Sequence, residues 1–169
     1  MTAVRTRTKI VLTVLAFGTL AFLANGNAPL GRLLWPPHAG GPVPVGIQVP
    51  LLVLATAIEA LLFGVGIALL AWGWRLFAGA PAPRPLARAA HLSIVWLLVS
   101  WFPHDNLHPH YGESMAAIVA LVWGFHVTLG LAGLVLAAFA FVTARRAQAA
   151  VPVTSAATPR AGDATLLAR

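Results

Sequence analysis

Four long apolar runs, separated by short polar or proline-rich stretches, dominate the hydrophobic pattern of this chain. They cover approximately residues 10–24, 47–74, 86–102 and 115–143. Because ~20 mostly apolar residues can cross a bilayer as a helix, each run predicts a membrane-spanning helix, although the first is slightly short. We therefore expect an all-α fold, an integral membrane bundle of four transmembrane helices within residues 1–146. Residues 147–169 lack apolar periodicity and predict a disordered tail.

The first apolar run has two interpretations. Basic residues precede it and the small residues Ala24-Asn25-Gly26 follow it, as in a secretory signal peptide. The later spans need a packing partner, however, and Thr13, Gly18 and Thr19 offer small positions where a helix can approach. We therefore favour an uncleaved signal-anchor over a cleaved signal peptide.

The connections between the runs predict the orientation of the protein in the membrane. Residues 25–46 and 77–85 are rich in proline and glycine and predict loops. The eleven basic residues divide into three before the first span, one in the first loop, three in the second, none in the third and four in the tail. By the positive-inside rule, both termini are cytoplasmic and the first and third loops are extracytoplasmic. The expected location is a bacterial plasma membrane.

Composition supports this picture and excludes several classes of protein. The chain is 59% hydrophobic, against ~45–50% for soluble domains, and its mean hydropathy is +0.84. The formal charge of +7 comes from residues at the ends of the spans, not from one patch, so we expect contacts with lipid head groups and no nucleic-acid partner. The absence of cysteine excludes disulfides and thiolate metal sites. The chain also lacks the glycine-rich phosphate-binding and serine-hydrolase motifs.

The third connection, residues 101–113, concentrates most of the candidate chemistry. It contains three of the six histidines and two of the four acidic residues. Neutral imidazoles with carboxylates nearby are typical ligands of zinc, copper or iron. A short helical turn beginning at Pro103 would place two of the histidines on one face. The predicted metal ligands are His104, His108, His110, Asp105 and Glu113.

The same stretch also fits two other interpretations. Trp101, His104, His108 and Tyr111 match an aromatic belt at the membrane surface, with Asp105 and Asn106 forming a turn through side-chain hydrogen bonds to the backbone. Direct acid–base catalysis by these side chains is the third alternative.

Three further ionisable residues lie inside the apolar runs. Glu59, His91 and His126 each fall roughly 16–18 Å from the outer end of their helices at 1.5 Å per residue. Because they lie at the same depth, they predict a polar cluster within the membrane. Such a cluster fits a proton path or a metal site. The two histidines also fit the axial ligands of a b-type haem. A purely structural hydrogen bond between Glu59 and His126 is the remaining alternative.

These observations lead to three functional hypotheses. The first is a small membrane protein that binds a transition metal and acts as a metal-, electron- or proton-handling or accessory subunit. The second is a metal-dependent membrane enzyme, an oxidoreductase or a hydrolase. The third is a structural membrane protein without catalytic activity. The expected partners are the lipid bilayer and other membrane subunits or further copies of the chain.

Overall fold

The computed structural model describes residues 2–26, 28–35, 44–111 and 113–150, and all regular elements in this part of the chain are helical. The helices are α1 (Thr2–Leu23), α2 (Gly31–Leu34), α3 (Gln48–Trp72), α4 (Trp74–Ala78), α5 (Arg84–Val99), α6 (Trp101–Leu107), α7 (Met115–Leu121) and α8 (Thr128–Ala149). A short 3₁₀ turn at His108–His110 follows α6, and a π-helical segment at Val122–Val127 separates α7 from α8.

The all-α fold class is confirmed for the described residues. Three stretches are long and apolar enough to cross a membrane: Thr6–Leu23, Gln48–Trp72 and Met115–Ala149. A fourth follows if α5 and the stretch Trp101–His110, which are bent by 40° relative to each other, count as one broken span. Helix α8 continues to Ala149, past the start of the tail expected at residue 147, and residues 151–169 lie outside the described part.

Backbone-to-backbone contact holds α1 against α3. A side chain at Gly64 would overlap the carbonyl oxygen of Val14 and lie 2.9 Å from the backbone nitrogen of Gly18. A side chain at Gly18 would come to 3.3 Å from the carbonyl oxygen of Ala60. Small residues let two helices approach this closely, and the dispersion attraction between the closely packed backbones stabilises helix pairs in lipid.

The long helices pack in chain order, α1 on α3, α3 on α5 and α5 on α8. Gly66 of α3 receives the side chain of Val99 from α5. Between α5 and α8, the indole N–H of Trp96 donates to the hydroxyl of Thr128 at 2.9 Å. Because α8 packs chiefly on α5, a broad face of α8 remains exposed.

Two predicted loops contain short helices. The first connection holds α2, and Trp35 after it donates from its indole to the carbonyl oxygen of Ala24 at 2.7 Å. The second connection begins with α4 and ends where Pro83 precedes the first turn of α5. The loop prediction was wrong at α2, and at α4 only for Phe77 and Ala78, because α4 begins at Trp74, before the predicted loop 77–85. Helices of four and five residues are stabilised by tertiary contacts and are too short to produce a periodic pattern.

The third predicted loop is mostly helical as well. Residues 101–107 form α6, and the helix break falls at Ser100, not at Pro103 as expected. A proline ring clashes with the carbonyl group four residues earlier, which here belongs to Val99, the last residue of α5. The proline itself is tolerated in the first turn of α6, where its missing N–H needs no partner.

Candidate functional site

Phe102 and Asn106 anchor helix α6 on either side of His104 and Asp105. The ring of Phe102 packs against Phe63 at 5.3 Å and Trp35 at 5.8 Å between ring centroids. Asn106 is buried, accepts a hydrogen bond from the backbone N–H of Gly26, and donates to the carbonyl oxygen of Phe102 at 2.7 Å. These contacts hold the side chains on the intervening turn in fixed positions.

His104 of α6 meets His126 of the π-helical segment. Their Nε2 atoms lie 3.0 Å apart. A neutral imidazole has one donor and one acceptor nitrogen, so one ring donates and the other accepts in this contact. The wider π turn alters the direction of the side chains it carries, and such segments are frequent at functional sites.

Asp105, the next residue of α6, interacts with Glu59 of α3 through its carboxyl group. The Oε2 atom of Glu59 is buried and has no hydrogen-bond partner among the described residues. Two ionised carboxyl groups that interact directly repel each other.

Consecutive residues of one short helix therefore contact ionisable side chains on two different spans. We call His104, Asp105, Glu59 and His126 the α6 polar cluster. The sequence pattern placed the first two residues in an external loop site and the last two in an intramembrane cluster, whereas the structure pairs His104 with His126 and Asp105 with Glu59. The bend at Ser100 produces this arrangement because it carries α6 against α3.

The other predicted metal ligands lie in different surroundings. The ring of His108 lies 5.3 Å from that of His104 and stacks on Tyr111. His110 is buried, and its Nδ1 atom lies 2.9 Å from the Oε2 atom of Glu113. A 3₁₀ helix has three residues per turn, so the side chain of His110, two positions after His108, points in a different direction from that of His108. Among the described residues no three His, Cys, Asp or Glu side chains converge to hold a metal ion. The five-residue metal set thus stays a prediction without support from the geometry.

His91 does not join the α6 polar cluster. It is buried in α5, its Nε2 atom lies 2.9 Å from the carbonyl oxygen of Leu69, and the rings of Trp74 and Phe77 contact it. It follows Arg84 by seven positions, only ~10 Å along the helix, so it lies near the end of the bundle that carries the basic residues. The structure therefore does not bring together the two histidines expected to hold a haem.

The sequence did not predict the π-helical segment, and it assigned Asn106 only to a local turn, whereas its side chain also binds the backbone of Gly26. The sequence contains one signal for this arrangement, Pro103, because a proline predicts a bend in a helix at the preceding turn. No family model, curated protein or solved structure matches this chain.

Proposed function

We propose that this protein is a small accessory subunit of a membrane assembly that takes up and holds protons at the α6 polar cluster. The supporting observation is the pairing of neighbouring α6 residues with two intramembrane partners, imidazole with imidazole and carboxyl with carboxyl. Both kinds of pair accept and release a proton without a large movement of heavy atoms. Chains of Asp, Glu and His residues carry protons in membrane pumps.

The proposed topology follows from the basic residues. By the positive-inside rule the end of the bundle that carries Arg75 and Arg145 is cytoplasmic. Glu59 precedes Arg75 by sixteen positions and His126 precedes Arg145 by nineteen. These separations correspond to ~24 and ~28 Å along a helix, in a hydrocarbon layer ~30 Å thick. The cluster then lies near the extracytoplasmic boundary, where protons from outside can reach it.

We further propose that protons enter from the extracytoplasmic surface through His108. Its ring contacts that of His104, and His104 contacts His126. Toward the cytoplasmic end, His91 is engaged with the carbonyl group of Leu69 and lies apart from the cluster. The arrangement therefore favours uptake and storage at the cluster, or transfer to a partner subunit, over conduction through this chain alone.

Infrared difference spectroscopy of the detergent-purified protein during a change of pH tests this proposal. We expect a protonated-carboxyl band that is lost in both Glu59→Gln and Asp105→Asn, because either change removes the shared proton. Glu113→Gln is the matched control, since Glu113 pairs with His110 outside the cluster. A band that survives both cluster variants would contradict the proposal.

A transition metal held by His104 and His126 is a second candidate. Their Nε2 atoms are 3.0 Å apart, close to the roughly 3.3–3.4 Å between two imidazole nitrogens on a tetrahedral ion with bonds of 2.0–2.1 Å. His108 would supply the third ligand after rotation of its side chain. Zinc, copper and iron all suit imidazole ligands.

Elemental analysis after zinc loading separates this site from the one predicted from sequence. His126→Ala should abolish stoichiometric zinc, whereas His110→Ala should retain it, because His110 faces Glu113 instead. Zinc retained in His126→Ala would refute the two-imidazole site. A metal-dependent enzyme would require this zinc binding. If these variants change neither the infrared carboxyl band nor the zinc content, a structural role is the remaining hypothesis.

A further inference from the structure

The backbone departs from α-helical hydrogen bonding at the end of the π-helical segment that carries His126. Such π turns are rare and occur mostly as single-turn bulges inside α-helices. In an α-helix the backbone N–H of Thr128 would bond to the carbonyl oxygen of Gly124, four residues earlier. Here that N–H bonds to the carbonyl oxygen of Phe125 instead. The turn therefore needs support from side chains to keep its shape.

The side chain of Thr128 takes over the displaced hydrogen bond. Its hydroxyl donates to the carbonyl oxygen of Gly124 at 2.7 Å and lies 3.1 Å from that of Phe125. A hydroxyl has a single hydrogen, so the two carbonyl groups share one donor. Threonine hydroxyls that donate to the preceding turn in this way often bend helices. Because Gly124 and Phe125 directly precede His126, this hydroxyl fixes the backbone from which the imidazole projects.

Trp96 of α5 supports the same turn from the neighbouring helix. Its indole N–H donates to the hydroxyl oxygen of Thr128 at 2.9 Å, which leaves the hydroxyl hydrogen for the carbonyl groups. Its ring stacks on Phe125, with 5.9 Å between the ring centroids and 13° between the planes. The ring of Phe125 in turn contacts that of His104 at 5.5 Å. Trp96 thus supports both partners of the imidazole pair, the π turn by a hydrogen bond and His104 through Phe125.

We propose that Trp96 and Thr128 are the positioning residues of the contact between His104 and His126. They hold the π turn in the register in which the two Nε2 atoms meet. If the turn relaxed to a regular α-helix, one residue would leave it, and the side chains before and after it would rotate by ~100° relative to each other. A hydrogen bond weakens steeply when it is misaligned, so this rotation would separate the two imidazoles.

This inference rests on the proposed function for the importance of the imidazole pair, but its geometry can be tested without proton uptake. The carboxyl pair of Asp105 and Glu59 lies between α6 and α3. Neither Trp96 nor Thr128 belongs to these two helices. Loss of the imidazole contact should therefore leave the carboxyl pair in place.

NMR of detergent-purified protein with ¹⁵N-labelled histidine tests the proposal, because scalar coupling across an N–H···N hydrogen bond reports the imidazole contact directly. At alkaline pH, where imidazoles are neutral, we expect coupling in the wild type, which His126→Ala assigns by its loss. Thr128→Val should abolish the coupling, and Thr128→Ser should retain it because serine keeps the hydroxyl. Thr143→Val is the matched control, since it makes the same change in α8 at a hydroxyl without a hydrogen-bond partner among the described residues. Coupling that survives Thr128→Val, or that is lost equally in Thr143→Val, would overturn the proposal.

A second variant tests Trp96 and keeps the proposal testable if Thr128→Val does not fold. Trp96→Phe retains an aromatic ring beside Phe125 but removes the indole N–H, so it should weaken the coupling. Trp123→Phe, at an exposed tryptophan of the same segment, should leave it unchanged. Full coupling in Trp96→Phe would refute the role of Trp96. The infrared carboxyl band of the same samples should persist in Thr128→Val. If the wild type lacks this band while the coupling follows the expected pattern, the proposed function fails and the positioning role stands.

Discussion

Gly64→Ala tests whether backbone contact between α1 and α3 holds this part of the fold together. The added methyl group would overlap the carbonyl oxygen of Val14 and come to 2.9 Å from the backbone nitrogen of Gly18. Both obstacles are backbone atoms, so no side-chain rotation can relieve the clash. The two helices must separate, and the packing between them weakens along their length.

The size of the effect follows from two opposing contributions. Alanine favours a helix interior over glycine by about 1 kcal/mol. Overpacking a close contact costs about 1–3 kcal/mol. Because the clash at Gly64 is with backbone, we take an overpacking cost of about 2–3 kcal/mol. After subtraction of the gain of about 1 kcal/mol in helix propensity, Gly64→Ala should lower the free energy of unfolding by about 1–2 kcal/mol. Gly133→Ala, which meets no atom within 4 Å, should retain or gain stability.

Reversible unfolding in mixed micelles, followed by circular dichroism, measures both variants under identical conditions. Gly18→Ala should fall between them, because its methyl group would lie 3.3 Å from the carbonyl oxygen of Ala60, a tight contact that a small shift relieves. The expected order of stability is Gly133→Ala, then Gly18→Ala, then Gly64→Ala. Equal stability of Gly64→Ala and Gly133→Ala would refute the close approach of α1 and α3.

Three further predictions concern side-chain hydrogen bonds. Asn106→Ala leaves the part-buried backbone N–H of Gly26 without its partner and should cost about 0.5–1.5 kcal/mol, seen as a lower unfolding midpoint and faster proteolysis of the first connection. Trp96→Phe and Thr128→Val each remove the same hydrogen bond, so each should cost about 0.5–1.5 kcal/mol, and a double variant that costs the sum would contradict their pairing. His91→Phe should lower stability only slightly, because the carbonyl oxygen of Leu69 keeps its helical hydrogen bond. It should leave the infrared carboxyl band unchanged, and loss of that band would place His91 in the proton-holding site after all.

The spans were predictable because they depend on composition over about twenty residues. Apolar runs identified both ends of α3 to within two residues, and the start of the stretch Met115–Ala149, whose observed end lies six residues beyond the predicted residue 143. The short helices α2 and α4 were not predictable, because helices of this length depend on tertiary contacts. Trp35, which anchors the chain after α2 through the carbonyl oxygen of Ala24, is one such contact.

The candidate site, like the helices, was predictable from the sequence only in part. The sequence by itself identified His104, Asp105, Glu59 and His126 as unusual, because ionisable residues are rare in such an apolar chain and costly inside a membrane. It assigned them to two sites, since a period along one helix carries no information about which helix lies beside it. Their union depended on the bend before Pro103, the anchoring of α6 by Phe102 and Asn106, and the π turn that carries His126. These are properties of three-dimensional packing between segments distant in sequence, and only the tertiary structure decided them.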